Sequence, residues 1–211
     1  MRARLIPLRL ALAAVALGCG DIAAPAPDAV QQPPVAAIVA PAPLPILRQA
    51  PTAPLLKTYR MSFWAKRGTQ TTVQVNYRKA PGPQPSDPFL RFKIPINGLV
   101  AGAGGVPLAR GDSVLITLTI DPVYFRVDFQ PSGVVFSSSS PAQLAFWYQN
   151  ADPDLNGDGV VNATDATLKQ NLAIWSQSGN GGWGKLVSRN DPNQQVVGAE
   201  VFHFSEYAVS W

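Results

Sequence analysis

The sequence of 211 residues contains one cysteine, Cys19, and one histidine, His203, and only 14% of its residues are charged. These shortages exclude whole classes of chemistry. A single histidine and a single cysteine leave Ser-His-Asp and Cys-His catalytic sets without parts, and they rule out a disulfide framework. There is no Gly-x-Ser-x-Gly motif and no glycine loop of the kind that cradles phosphate. The formal charge of +4 includes Arg2, Arg4 and Arg9 at the extreme N-terminus, and without them the basic residues nearly balance the 13 acidic ones. No basic tract remains to engage nucleic acid. Outside the Asp-rich stretch discussed below, Asp112, Asp121 and Asp191 sit beside turn residues, where hydrogen bonding suits them better than a glycosidase's carboxylate pair. A conventional enzyme is therefore not expected. What is abundant is punctuation: 21 prolines and 17 glycines argue against a helix bundle.

The first residues, MRARLIPLRLALAAVALGC, open with arginines, pass through an apolar run from Leu10 to Leu17, and reach a small residue, Gly18, before Cys19. This pattern is that of an export signal, and its apolar run is too short to span a bilayer. The tetrapeptide Ala16-Leu17-Gly18-Cys19 resembles the bacterial lipobox, with alanine where leucine is usual. The resemblance implies a leader over residues 1–19 and a diacylglyceryl group on the Cys19 thiol; the plainer alternative is an ordinary secretory signal with an incidental cysteine. Residues 20–54 then hold nine of the prolines, in runs such as APAPD, QQPPV and APAPLP. Proline at this density blocks helix and sheet pairing and favours an extended, polyproline-like tether. A selected spacer and a leftover segment of no selected length read alike.

From Leu55 onward the pattern is period-two alternation broken by Pro/Gly clusters. Val114, Ile116, Leu118 and Ile120 share one face of a strand; Phe125, Val127 and Phe129 do the same, as do Leu144, Phe146 and Tyr148. Segments 59–65, 71–78, 89–96, 172–175, 183–188, 196–204 and 207–211 extend the set to about ten strands. Such strands bury one face and wet the other, so the expected fold class is all-β, an antiparallel β-sandwich over 55–211. The tryptophans Trp64, Trp147, Trp175, Trp183 and Trp211 fall mostly within these strands, which favours core or sheet-edge packing over a carbohydrate platform.

The sharpest motif interrupts this pattern at about 150–172. Taking Asp154 as position 1 places Asn156 at 3, Asp158 at 5, the Val160 carbonyl at 7, Asn162 at 9 and Asp165 at 12, with Gly159 at the sharp turn of position 6. Calcium seeks six to eight oxygens, and alternate residues of a coiled loop can all point inward to supply them. A register starting at Asp152 fails because Ala163 would occupy position 12. The expectation is an EF-hand-like calcium loop with a short helix over 163–172, inserted between two strands. Aspartate at position 12 shortens the reach, which predicts affinity of about 10⁻⁵ to 10⁻³ M. The sequon Asn162-Ala163-Thr164 competes with ligation for the same side chain. The segment DLNGDGVVNATDATLKQNL is similar to one calcium-binding segment of bacterial dockerins, including the Ala163-Thr164 pair and Leu168. That resemblance implies cohesin binding; dockerins, however, carry two such segments, and here there is one.

The C-terminal part looks like the end of the β-sandwich domain shared by zonula occludens proteins, netrin receptors and ankyrins. The likeness rests on Trp175, Trp183, the turn from Asp191 to Asn193, His203-Phe204-Ser205 and Tyr207-Ala208-Val209, with residues 131–136 and the following LAFWY resembling that domain's middle. Some relatives of that domain cleave themselves at His-Phe-Ser. Carried over, Ser205 would be the nucleophile and His203 its base, with the Phe204-Ser205 bond strained by a tight bend. Together these features predict a lipid-anchored, exported bacterial protein whose leading role is non-enzymatic binding or structure. Its cofactor is calcium, its membrane contact is through lipid, and its protein or glycan partner is unspecified. The alternatives are a self-cleaving domain and a cohesin-binding one.

Overall fold

The computed structural model describes residues 43–211, apart from 79–86, 178 and 180. The leader, Cys19 and most of the tether lie outside the described residues. No helix among the described residues is long and apolar enough to cross a membrane.

The chain is all-β. In chain order the strands are β1 (Arg60–Lys66), β2 (Thr71–Asn76), β3 (Pro88–Ile94), β4 (Leu99–Ala101), β5 (Ser113–Ile120), β6 (Arg126–Gln130), β7 (Val135–Phe136) and β8 (Ala142–Trp147). After α1 (Ala163–Gln170), the one α-helix among the described residues, come β9 (Ala173–Gln177), β10 (Trp183–Lys185), β11 (Ser188–Asp191), β12 (Val196–Val201) and β13 (Glu206–Ser210). Every pairing is antiparallel. One sheet runs β1-β5-β6-β13-β9-β10, a second runs β11-β12-β8-β3-β2, and β4 with β7 forms a small ribbon.

The alternation read from the sequence sets which faces meet. Ile116, Leu118, Ile120, Phe125, Val127 and Phe129 from the first sheet are buried against Phe89, Leu90, Phe92, Leu144 and Phe146 from the second. Aromatic rings bridge the layers: Phe92 lies 4.7 Å from Phe129, and Phe89 stacks on Phe125 at 5.1 Å. Phe204 closes one end of this cluster, stacked on Phe129 at 4.9 Å. Burial of such rings is the main source of stability in a chain without disulfides.

Three sequence expectations change in detail. The boundary expected at Leu55 moves toward the N-terminus, because Leu47 is buried at 1% exposure and Ile46, Arg48 and Gln49 form bridges to Ser210, Tyr124 and Ala151. The segment has prolines at 43, 45, 51 and 54, yet Leu47 N and O still find partners in Val209 and Phe125. The strand expected over 183–188 is two strands, β10 and β11, on different sheets, and that expected over 196–204 ends at Val201. None of the tryptophans belongs to the buried core. Trp64 is two-thirds exposed on the edge strand β1, while Trp147, Trp175, Trp183 and Trp211 are half-buried.

Candidate metal centre

The loop between β8 and β9 takes its shape over 154–165 from two carboxylates. Asp154 Oδ1 accepts the N–H groups of Gly157 at 2.8 Å and Asp158 at 3.2 Å, and its Oδ2 accepts that of Gly159 at 2.7 Å. Asp165 Oδ1 accepts from Leu155 at 2.8 Å and Asn156 at 3.3 Å, and its Oδ2 accepts from Asn162 at 2.9 Å. One carboxylate therefore gathers the middle of the loop while the other ties its beginning to its end. Charge-assisted bonds of this kind are stronger than neutral ones. The turn that lets Asp154 reach three successive amides needs positive φ at Gly157 (73°) and Gly159 (85°), a region disfavoured for residues bearing a Cβ.

The end of the loop starts α1. Asn162 is the N-cap, its side chain accepting from Thr164 N at 2.7 Å, and the return bond from Asn162 N to Asp165 completes a capping box. The expected helix over 163–172 stops at Gln170, with Asn171 as its cap, because Leu172 turns into the core ahead of β9. The helix is fastened from outside by Asn190 on β11. Its Nδ2 donates to the carbonyls of Lys169 at 2.8 Å and Gln170 at 3.2 Å, and its Oδ1 accepts from Tyr148 Oη at 2.7 Å. Burial raises the Tyr148 pKa to about 12, with the Asp191 charge adding to it. The phenol thus remains a donor at neutral pH. Lys169 lies over the same ring at 5.8 Å.

All six positions expected to hold a metal are in this one loop. Asp165 is buried at 3% exposure and Asp154 is half-buried, whereas Asn156, Asp158, Val160 and Asn162 face solvent. The Asn162 amide N–H lowers the Asp165 pKa most, opposed by burial and assisted by the Asn156 and Leu155 amides. Asp158 Oδ1 accepts from Val160 N at 2.8 Å, while the amide nitrogens of Asn156 and Asn162 face Asp158 Oδ2 at 2.9 Å and the Val160 carbonyl at 3.1 Å. Electropositive atoms therefore already face two of the expected ligand oxygens. No ion pair involves Asp154, Asp158 or Asp165 among the described residues. Nor do three His, Cys, Asp or Glu side chains among them form a compact metal-ligating cluster. The donor set is mixed by design, with amide and backbone oxygens beside the carboxylates, which is the set hard cations take.

The second candidate site is differently arranged. The Ser205 hydroxyl donates to the Gln177 carbonyl and is also 3.2 Å from Glu206 O. His203 Nδ1 lies 3.4 Å from Phe204 O, and the His203 carbonyl accepts from Tyr207 Oη. Among the described residues no hydrogen bond links His203 to Ser205, so the base and nucleophile are neighbours in sequence without being paired. The three turn aspartates act as the sequence indicated. Asp112 accepts from Ala109 N at 2.7 Å, Asp121 from Val123 and Tyr124 N at 2.8 and 3.0 Å, and Asp191 from Asn193 and Gln194 N at 3.0 and 3.1 Å.

Sequence reasoning missed the role of Asn190, which had no motif to mark it. It is found only once the register of β11 against β12, Asn190 opposite Val197, brings it beneath the helix. No known protein family, curated protein or solved structure matches this chain.

Proposed function

We propose that this chain is a non-enzymatic binding or structural module of a bacterial cell-envelope lipoprotein, held to the membrane by lipid on Cys19 and stabilised by calcium. One observation carries the calcium reading. The Asp154–Asp165 loop folds around its own carboxylates and leaves the residues Asn156, Asp158 and Val160 exposed at its mouth, with no ion pair to Asp154, Asp158 or Asp165 among the described residues. Asp154, Asn156, Asp158, Val160 and Asp165 would hold the ion, and Asn162, whose oxygen caps the helix, would contribute through water. A bound calcium would supply positive charge that the loop lacks. The chain's own residues do the rest: Asp154 sets the turn, Asp165 joins loop to helix, and Asn190 joins helix to sandwich.

Titration calorimetry with calcium, on the wild type and on Asp158→Ala, tests this directly. Heat of binding in the first and none in the second supports the reading; no heat in either overturns it. Replacement of Cys19 by alanine should release the mature protein from membranes into the soluble fraction, and retention would remove the lipid anchor from the proposal.

The cohesin-binding alternative has one feature in its favour, the exposure of Ala163 and Thr164 at the start of α1. The self-cleaving alternative is disfavoured by the Ser205 hydroxyl's commitment to Gln177 and Glu206.

A further inference from the structure

The outer face of the five-stranded sheet carries a groove of about 790 Å³, away from the core and formed by residues of β3, β8, β12 and the segment from Lys185 to Arg189. Its floor follows from the register. Arg91 is opposite Ala145, Ala145 opposite Gly198, and Gly198 opposite Arg189, so one row across four strands reads Arg-Ala-Gly-Arg. Two of the smallest side chains lie between two of the longest. With strands about 4.8 Å apart, the arginine Cα atoms stand about 14 Å apart, leaving a trough one polymer chain wide between them.

The neighbouring row places Lys93 opposite Gln143 and Gln143 opposite Glu200, and Lys185 stands on the Arg189 side. Each wall thus has two cations. None of the four forms an ion pair among the described residues. One on each wall is seated on an indole: Arg91 lies 5.1 Å from the Trp147 ring and Lys185 lies 5.7 Å from that of Trp175. Two of the tryptophans outside the core, Trp147 and Trp175, therefore hold charges of this groove in place.

We propose that this groove binds an acidic glycan, a hydroxylated chain bearing carboxylates, laid along the strands over Ala145 and Gly198. The charge complementarity calls for an anion. The floor selects which kind: β3, β8 and β12 are interior strands whose backbone groups are already paired, so the amides of an acidic peptide would find no partners there. Gln143 and Glu200 offer acceptors for hydroxyl hydrogens. The groove shares no lining residue with the calcium loop.

The test is binding of a hyaluronan octasaccharide to the full chain in calcium buffer, against neutral maltooctaose, octaglutamate and a single-stranded RNA. The acidic glycan is expected to bind with the tightest affinity and to weaken with salt, and Arg91→Gln and Arg189→Gln should each reduce affinity about tenfold. Gly198→Val should fill the floor and abolish binding. A Cβ there meets only Leu144 O at 3.4 Å and Ala145 Cβ at 3.8 Å, so the fold should hold, as circular dichroism would verify. If that variant unfolds, the two arginine variants decide the matter alone. Binding no tighter than that of maltooctaose overturns the proposal, as does equal binding of octaglutamate or RNA.

Discussion

The sandwich and the loop at 152–165 specify their shapes by opposite means. In the sandwich, side chains meet side chains: Phe89, Phe92, Phe125, Phe129, Phe146 and Phe204 pack ring against ring, and the backbone is satisfied by the ladders. In the loop, side chains meet backbone: Asp154 and Asp165 take the amides directly, and little apolar surface is covered. Packing of the first kind depends on volume, whereas organisation of the second depends on charge. The two regions should therefore answer to different perturbations.

The largest effect should come from the sandwich. Phe129→Ala removes a ring that touches Phe92, Phe204 and Tyr207 and should cost about 3–5 kcal/mol. Denaturant titration should give the same loss with calcium or with chelator, since volume and not charge is removed. Next comes calcium itself: at 100 times its dissociation constant it should stabilise the fold by about 2.7 kcal/mol. For a domain of this size that is a rise of roughly 5–10 °C in melting temperature. An unchanged midpoint on chelation would break the comparison, because the loop would then be as indifferent to ions as the core.

Asn190→Ala tests the joint between the regions. It removes a donor to the last carbonyls of α1 and the acceptor of the Tyr148 hydroxyl, which should cost about 1–2 kcal/mol in thermal melts. It should also weaken calcium binding in calorimetry, because the helix that carries Asp165 loses its outer support. The smallest effect concerns the sandwich's own charge. Burial raises the Asp121 pKa, but the Val123 and Tyr124 amides and the Arg126 guanidinium outweigh it, so the net shift is downward. A carboxylate lowered on folding gives stability that is whole above its unfolded pKa and fades as pH falls through the folded value. Asp121→Asn should thus cost at most about 1 kcal/mol at neutral pH, with the gap to wild type closing in acid melts.

How much of this could be read from the sequence depended on the range of the cause. Val127, Phe129, Leu144 and Phe146 were legible because alternation is a local consequence of pleating. The site spacing from Asp154 to Asp165 was legible because the loop is contiguous. The ribbon of β4 and β7 was not, since two or three residues per strand are too few to display a period. Leu47 was hidden by the prolines around it: composition described the segment's neighbours, and only the partners at Phe125 and Val209 explain its burial. The Arg91-to-Arg189 row was invisible for a different reason. Its four residues are spread over more than a hundred positions, and only strand order places them side by side.

The place of β13 has a consequence for how the protein is made. It lies in the middle of its sheet, between β6 and β9, and the segment at Leu47 is seated against its end. Among the described residues it is the last strand in chain order. A chain ending before Glu206 would lack the strand that joins β6 to β9 and the Val209 carbonyl that accepts from Leu47 N. The six-stranded sheet is therefore completed only by the last strand in chain order, whatever the order in which the others form.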